Sequence, residues 1–284
     1  MPHAPQIKIP ATYMRGGTSK GVFFSLNDLP ETAQVPGEAR DKILLRVIGS
    51  PDPYGKHTDG MGGATSSTSK SVILAKSEKA DHDVDYLFGQ VSIDKPFVDW
   101  SGNCGNLMAA VGPFAITQGL VKAEEPLTRV RIWQRNQGQR IDAWVPVRDG
   151  KPIEAGSFRE DGVPFDSAEI RLEMFEPDDG APMLPTGNIV DTLDVPGVGA
   201  LQATLLICGN PTIFVRAADL GLTGTERRED VNSKPALLTR LEAIRAHAAV
   251  AMGLAETAEH ATAQRPGTPK LSWVAPPLAY KSSA

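Results

Sequence analysis

A lysine at the end of a run of small residues is the first group in this sequence that could do chemistry. Residues 62–70 read Gly-Gly-Ala-Thr-Ser-Ser-Thr-Ser-Lys and end on Lys70. Small side chains let a ligand approach the backbone, and hydroxyl groups can donate hydrogen bonds to a carboxylate. Lysine acts as a base when burial lowers its pKa, because desolvation disfavours the charged form. The segment predicts either a ligand-binding base or a polar surface loop around a solvated lysine.

Two other interpretations of this segment are weaker. A phosphate-binding P-loop needs glycine directly before the lysine and again five residues earlier. This chain has Ser69 and Ala64 at those places. The segment Ser67-Thr68-Ser69-Lys70 fits the S-x-x-K pattern of penicillin-binding enzymes, but the sequence contains no S-D-N or K-T-G. A hydrolase of that class is therefore the least favoured alternative.

A cysteine flanked by glycine and asparagine is the second candidate. Residues 101–106 read Ser-Gly-Asn-Cys-Gly-Asn and lead directly into an apolar stretch. At the start of a helix, unpaired N–H groups and the helix dipole favour a thiolate and can also hold a carboxylate. The alternative is a buried structural cysteine, which is the commoner fate of this residue type. Because Gly102 and Gly105 leave room for a ligand, we favour a functional Cys104.

Two further glycine-rich segments could contribute to an anion site. Residues 15–21, Arg-Gly-Gly-Thr-Ser-Lys-Gly, lie between two predicted strands, and an anion site and a simple turn are equally good interpretations. Residues 208–212, Cys-Gly-Asn-Pro-Thr, repeat the Cys-Gly-Asn of residues 104–106. The repeat suggests two related halves. We expect Cys208 to be structural, because a strand rather than a helix follows it.

The composition limits the possible functions. The net charge of −5 and the absence of a long basic run disfavour nucleic-acid binding. No apolar stretch is long enough to span a membrane, and the N-terminus does not resemble a signal peptide. The two cysteines form no CxxC pair, which disfavours a zinc site or a disulfide scaffold and indicates a cytoplasmic protein. The five histidines show no metal-binding spacing, and we expect them at surface or capping positions.

Short apolar runs bounded by turn residues predict a strand-rich first half that positions these candidates. Strands are expected at residues 7–14, 22–25, 72–75, 84–93 and 130–134. A helix is expected at 38–48, where Gly49 and Pro51 would stop it. A second helix at 105–118 is apolar nearly all round, which predicts that it is buried. Lys70 would then lie just before the strand at 72–75, and Cys104 would lie at the N-terminus of the buried helix.

A stretch rich in proline and glycine at residues 176–188 predicts a domain boundary. We place the two domains at residues 1–182 and 183–284. The second domain is expected to begin with strands at 203–207 and 212–216, followed by an amphipathic helix at about 235–252. The tail after Arg265 is rich in proline and reads as an unfinished connection.

Several of these segments together resemble the PrpF family of isomerases. Residues 15–24 are similar to the opening signature of that family, and residues 63–70 and 101–106 are similar to its two central motifs. The resemblance continues through residues 184–188, 209–212 and 269–270, so it spans nearly the whole chain. The matches at residues 52–55 and 83–100 favour the members that act on 2-methylaconitate.

The resemblance implies an α/β (α+β) fold of the diaminopimelate epimerase type with two similar domains. In each domain, a curved and mostly antiparallel sheet would wrap around a central helix. Members of the family continue past the point where this sequence stops, so we expect the second domain to be incomplete at its C-terminus. One hypothesis is therefore that the chain alone is inactive.

The resemblance also implies the activity. Lys70 and Cys104 occupy positions similar to the two catalytic positions of the family. In our hypothesis Lys70 is the base and Cys104 a proton donor or partner on the other side, and the sequence leaves open which of the two abstracts the proton and which returns it. The reaction would convert trans-2-methylaconitate to its cis form in the methylcitrate route of propionate catabolism, without metal or other cofactor. Methylitaconate isomerase and 4-oxalomesaconate tautomerase are alternatives within the family. An alternative from another class is a non-catalytic accessory of an aconitase-like 2-methylcitrate dehydratase.

The expected ligand is a small tricarboxylic acid. We also expect a functional link to the aconitase-like 2-methylcitrate dehydratase and a homodimer of this chain. The expected substrate contacts are the residues of the glycine-rich segments: Arg15, Gly17, Thr18, Ser19, Gly63, Ala64, Thr65, Ser67, Ser69, Gly102, Asn103, Gly105, Asn106, Gly209, Asn210, Pro211 and Thr212.

Overall fold

A computed structural model describes residues 5–175, 180 and 182–279 of the chain. They fall into two compact units, the first made of residues 5–175 and the second of residues 180 and 182–279. Each unit packs a helix on a β-sheet, so the predicted α/β class is confirmed. The predicted linker at residues 176–188 lies partly outside the described residues.

The first unit is built on a nine-stranded sheet in which most neighbouring strands run antiparallel. The strands are β1 (Thr12–Gly16), β2 (Ser19–Ser25), β3 (Lys70–Lys76), β4 (Val84–Val91), β5 (Val98–Asp99), β6 (Leu127–Gln134), β7 (Gln139–Arg148), β8 (Lys151–Pro152) and β9 (Arg171–Met174). Their spatial order is β1-β2-β3-β4-β6-β7-β8, with β5 beside β4 and β9 beside β7. The β2–β3 and β4–β6 pairs are parallel.

Three helices belong to the first unit, namely α1 (Glu31–Gln34), α2 (Glu38–Ile48) and α3 (Gly105–Thr117). Helix α3 is the predicted buried helix, and it packs in the main core against β2, β3, β4, β6 and β7. Gly112 allows the close approach, because a Cβ atom there would lie 2.6 Å from a methyl group of Val145. The bounds of α2 are those predicted, and α3 ends one residue before the predicted end.

Strand β2 is covered on both faces. Phe23 belongs to the core around α3, whereas Val22 and Phe24 pack in a second core with Leu44 and Ile48 of α2. A strand buried on both faces is apolar at successive positions, because side chains alternate between the faces. The run at residues 22–24 therefore reflects two cores rather than one.

The second unit has a smaller sheet in the order β10-β11-β12-β13. Its elements are β10 (Asp191–Val195), β11 (Gly199–Cys208), β12 (Asn210–Arg216), α4 (Arg228–Asn232), α5 (Pro235–Ala251), α6 (Ala258–Gln264) and β13 (Lys270–Val274). Helix α5 buries Leu241, Ile244 and Ala248 against this sheet, as its amphipathic pattern predicts. Among the described residues, the helices include none that is long and apolar enough to cross a membrane.

Some strand predictions are wrong in part, and some strands of the structure were not predicted. The first strand begins at Thr12 rather than residue 7, since Pro10 cannot donate to a sheet ladder. The tail after Arg265 is not a mere connection, because β13 pairs in parallel with β12. Strand β7 was missed because Asp142 interrupts its apolar pattern, yet Asp142 is fully buried and paired with Arg129 and Arg140.

Candidate active site

Lys70 is the first residue of β3 and follows directly on the small-residue loop. Strand β3 lies between β2 and β4, so the backbone of Lys70 belongs to the interior of the sheet. Gly21 of β2 provides the necessary space, because a Cβ atom there would lie 2.9 Å from the Lys70 carbonyl oxygen. Lys70 is only 7% exposed, which excludes the solvated surface lysine that the sequence left open.

The amine of Lys70 is held between β4 and the N-terminus of α3. Its Nζ donates a hydrogen bond to Gln90 Oε1 at 2.7 Å and lies 5.0 Å from the centre of the Phe88 ring. Burial lowers the pKa of Lys70, because the ammonium ion loses its hydration, while interaction with Cys104 acts in the opposite direction. Burial has the larger effect. The neutral amine that a base requires is therefore more accessible than for a lysine in water.

Cys104 is the N-terminal capping residue of α3 and is 7% exposed. It stands at the entrance of the buried helix, as the sequence predicts. Its backbone N–H donates to Asn103 Oδ1 at 2.7 Å. Its side chain lies near the amine of Lys70 and raises the pKa of that amine. The site therefore joins a buried amine and a buried thiol.

Tyr86 of β4 lines the same core beneath Cys104. Its side chain is fully buried, and its hydroxyl oxygen has no partner that meets hydrogen-bond geometry. Burial raises the pKa of Tyr86 well above its ordinary value, and the charge of Cys104 contributes in the same direction. Tyr86 therefore packs against the site as an uncharged side chain.

The tight turn between β1 and β2 is fixed on the first turn of α3. Asn106 Nδ2 donates to Thr18 Oγ1 at 3.0 Å and approaches Ser19 Oγ at 3.4 Å. Gly16 must lack a side chain, because a Cβ atom there would lie 2.5 Å from the Asn106 carbonyl oxygen. The turn contains Gly17, whose φ of 50° is a left-handed conformation that favours glycine. These contacts place the segment around Arg15 beside the start of α3.

The loop before Lys70 is anchored on His57, which is 1% exposed. The Nδ1 atom of His57 accepts a hydrogen bond from the Ala64 N–H at 3.1 Å and lies 3.4 Å from Ser69 Oγ. Gly62 leaves space for the ring, since a Cβ atom there would lie 2.2 Å from the same nitrogen. The expectation of a surface or capping histidine is therefore wrong for His57.

We expect His57→Ala to lower the free energy of unfolding by about 2 kcal/mol, because it leaves a cavity and an unpaired N–H group at Ala64. Urea unfolding would measure the loss. His260→Ala is the matched control, because His260 is exposed on α6, and its effect should stay within about 0.5 kcal/mol. Equal effects of the two substitutions would contradict an anchoring role for His57.

The first unit brings most of the predicted site residues into one neighbourhood. The loop before Lys70 joins the β1–β2 turn, because the Lys20 N–H donates to the Ser67 carbonyl oxygen at 3.0 Å. These segments supply Arg15, Gly17, Thr18, Ser19, Gly63, Ala64, Thr65, Ser67, Ser69, Gly102, Asn103, Gly105 and Asn106. Arg15, Thr18, Gly105 and Asn106 are exposed, so this neighbourhood is accessible from solvent.

The remaining predicted contacts belong to the second unit. Gly209 forms the turn between β11 and β12, and Asn210, Pro211 and Thr212 begin β12. Their role in substrate binding stays a prediction. Cys208 ends β11 and is exposed, so the expected structural role in packing is wrong.

Sequence reasoning missed the side chains of β4 that surround Lys70. Tyr86, Phe88 and Gln90 occupy alternate positions of β4 and therefore share one face of the strand. That alternation is visible in the sequence. The pairing of Lys70 with Gln90 is a matter of register between β3 and β4, which the alternation does not specify.

A cavity of about 1090 Å³ lies beside α3, lined at one end by Arg15, Gly17, Gly105 and Asn106. Neither Lys70 nor Cys104 lines this cavity. We therefore assign proton transfer to the amine of Lys70 and the thiol of Cys104 and not to the residues that line the cavity. In the part of the chain that the structure describes, no cluster of three or more His, Cys, Asp or Glu side chains is arranged to hold a metal ion.

The sequence matches the family model described as "PrpF protein" over residues 6–284. The chain belongs to the PrpF family. The match includes all the glycine-rich segments described above, so the predicted resemblance is confirmed.

Curated relatives of the chain include two proteins named 2-methyl-aconitate isomerase. The one from Shewanella oneidensis is 62% identical over 99% of this chain and 72% of its own length. The one from Cupriavidus necator is 60% identical over 96% of this chain and 71% of its own length. Both matches therefore include the segments that carry Lys70 and Cys104.

A solved structure also resembles the chain, and it is a crystal structure of methylitaconate-delta-isomerase. It has a TM-score of 0.67 and 43% sequence identity, and the match covers 95% of this chain and 68% of that one. This likeness agrees with the two-unit α/β fold described above.

Proposed function

We propose that this PrpF-family chain is an isomerase that converts trans-2-methylaconitate to cis-2-methylaconitate, with Lys70 and Cys104 as its proton-transfer groups. The observation that carries the proposal is the pair itself, in which a buried amine and a buried thiol interact at the start of α3. The names of the relatives at 62% and 60% identity support the choice of substrate.

The chemistry follows from the bond that must rotate. A C=C bond can turn only if it becomes single, and removal of an allylic proton from a carbon conjugated to a carboxylate achieves this. The charge spreads into a dienolate, the chain rotates, and the proton returns. The neutral amine of Lys70 is suited to take a proton, and the thiol of Cys104 is suited to donate one.

The developing negative charge needs stabilisation by nearby donors. The first N–H groups of a helix have no partner within that helix, so the start of α3 at Gly105 and Asn106 can donate to carboxylate oxygens. The hydroxyl of Thr18 lies on the same side, held by Asn106. Arg15 is exposed beside them and adds a positive charge that a polyanionic substrate would meet.

The proposal extends to the partners. The product would be consumed by an aconitase-like 2-methylcitrate dehydratase, because a cis-configured unsaturated tricarboxylate is a substrate for hydration. Both cysteines are free thiols, which supports a reducing, cytoplasmic location. A homodimer stays a prediction that the mass of the protein in solution would test.

An ultraviolet assay with a panel of acids tests the function. We expect kcat/KM for trans-2-methylaconitate to exceed that for trans-aconitate by at least about tenfold, since the two acids differ by one methyl group and a well-placed methyl group is worth roughly 1–3 kcal/mol. We also expect lower kcat/KM values for 3-methylitaconate and 4-oxalomesaconate. A preference for another acid would reassign the substrate within the family. No turnover of any acid, together with co-purification of an aconitase-like enzyme, would favour an accessory role instead.

A further inference from the structure

The side chain of Gln90 bridges the two residues that lead into β3. Its Nε2 donates to the Ser69 carbonyl oxygen at 2.9 Å, and its Oε1 accepts from Lys70 Nζ at 2.7 Å. A carbonyl oxygen can only accept, so the NH₂ end of the amide must face Ser69. The amide oxygen is thereby fixed towards the amine of Lys70.

We propose that Gln90 is a positioning residue that orients the Lys70 amine through a hydrogen-bond acceptor that carries no charge. This inference rests on the proposed role of Lys70 as a base. A neutral amine has two N–H groups and one lone pair. Because Gln90 accepts one N–H, the lone pair of Lys70 is directed away from Gln90, while the Phe88 ring limits the amine on another side.

The surroundings of Lys70 explain why an uncharged acceptor matters. The thiol of Cys104 from α3 acts on the amine of Lys70, Tyr86 of β4 lies with Cys104 in the same core, and Gly21 of β2 packs against the backbone of Lys70. Asp99 of β5 pairs with Gln90 across the ladder, and His57 contacts the neighbouring Ser69. A carboxylate in place of the Gln90 amide would stand at hydrogen-bond distance from the amine. An opposite charge at that distance favours the ammonium form.

Gln90→Glu and Gln90→Met separate charge from positioning. Gln90→Glu keeps the shape and adds one charge, so we expect the pH at which activity rises to move upward by about 1–3 units. Activity at pH 7 would fall at least about tenfold and recover at high pH. Gln90→Met removes the acceptor without adding charge, so kcat should fall at every pH with little change in KM and with no upward shift.

The titration of Lys70 can also be followed without substrate. In protein with ¹³C-labelled lysine, the Cε signal that disappears in Lys70→Arg identifies Lys70. Its midpoint should be higher in Gln90→Glu than in the unaltered protein, and unchanged or lower in Gln90→Met. Gln118→Glu is the matched control, because Gln118 is exposed at the far end of α3, roughly 20 Å from Cys104 at 1.5 Å per residue. It should change neither midpoint nor rate.

The outcomes distinguish the role of Gln90 from the proposed function. An unshifted Lys70 midpoint in Gln90→Glu, or normal kcat in Gln90→Met, would overturn the role of Gln90. If no acid is isomerised but the Lys70 midpoint moves as expected, the proposed function fails while the role of Gln90 in setting the amine stands. If Gln90→Glu does not fold, the kcat and midpoint of Gln90→Met decide the matter alone.

Discussion

Lys70→Met is expected to reduce isomerisation by roughly 10²–10⁴-fold, the contribution typical of a positioned general acid or base. Methionine is long and unbranched, so it can fill the space beside Phe88 without offering a group that binds a proton. The variant should also stop incorporating deuterium from D₂O into the substrate. Proton NMR of the recovered acid would measure the exchange, and an ultraviolet assay would measure the rate.

The control for this result is Lys42→Met. Lys42 lies on α2 with an exposed side chain paired to Glu38, so Lys42→Met makes the same substitution at a place without a role in the chemistry. We expect normal turnover and exchange from that variant. Normal exchange in Lys70→Met would remove Lys70 from the mechanism.

Cys104→Ala is expected to cause a loss of the same order, because the second proton-transfer group disappears while α3 keeps its core contacts. The substitution has a further consequence with a definite sign. Interaction with Cys104 raises the pKa of Lys70 against the effect of burial. Removal of the thiol should therefore lower the pKa of Lys70 further. The ¹³C signal of Lys70 would show the shift even in an inactive variant.

Cys208→Ala serves as the matched control for the thiol. Cys208 is the other cysteine of the chain and is exposed at the end of β11. We expect it to leave both the rate and the Lys70 titration unchanged. A rate loss in Cys208→Ala equal to that in Cys104→Ala would show that the assay reports on thiol chemistry in general.

The two principal residues could be found from the sequence because their neighbours are unusual. Lys70 follows a run of small and hydroxylated residues, and Cys104 precedes a helix that is apolar nearly all round. Such local patterns can be recognised in the sequence without knowledge of the tertiary contacts. Burial of Lys70, by contrast, depends on its position in the sheet between β2 and β4. The sequence alone therefore left a solvated lysine as an alternative.

The partners of these residues depend on contacts between distant parts of the chain. Gln90 meets Lys70 only through the register of β3 and β4, and Asn106 meets Thr18 only because α3 packs on the β1–β2 turn. His57 looks like an ordinary loop residue until the loop folds around it. Strand β7 was hidden for a similar reason, since Asp142 is acceptable in the core only beside Arg129 and Arg140.

The burial of Lys70 also couples folding to proton uptake. In the unfolded chain Lys70 would have the ordinary pKa of 10.5, whereas in the folded chain its pKa is lower. Between these two values the unfolded chain binds the extra proton, so stability rises with pH in that interval. The contribution of Lys70 to the free energy of unfolding is greatest above the ordinary pKa, and it declines as the pH falls towards the pKa of Lys70 in the folded chain. The burial that makes Lys70 suited to act as a base therefore makes the folded chain less stable at neutral pH than at high pH.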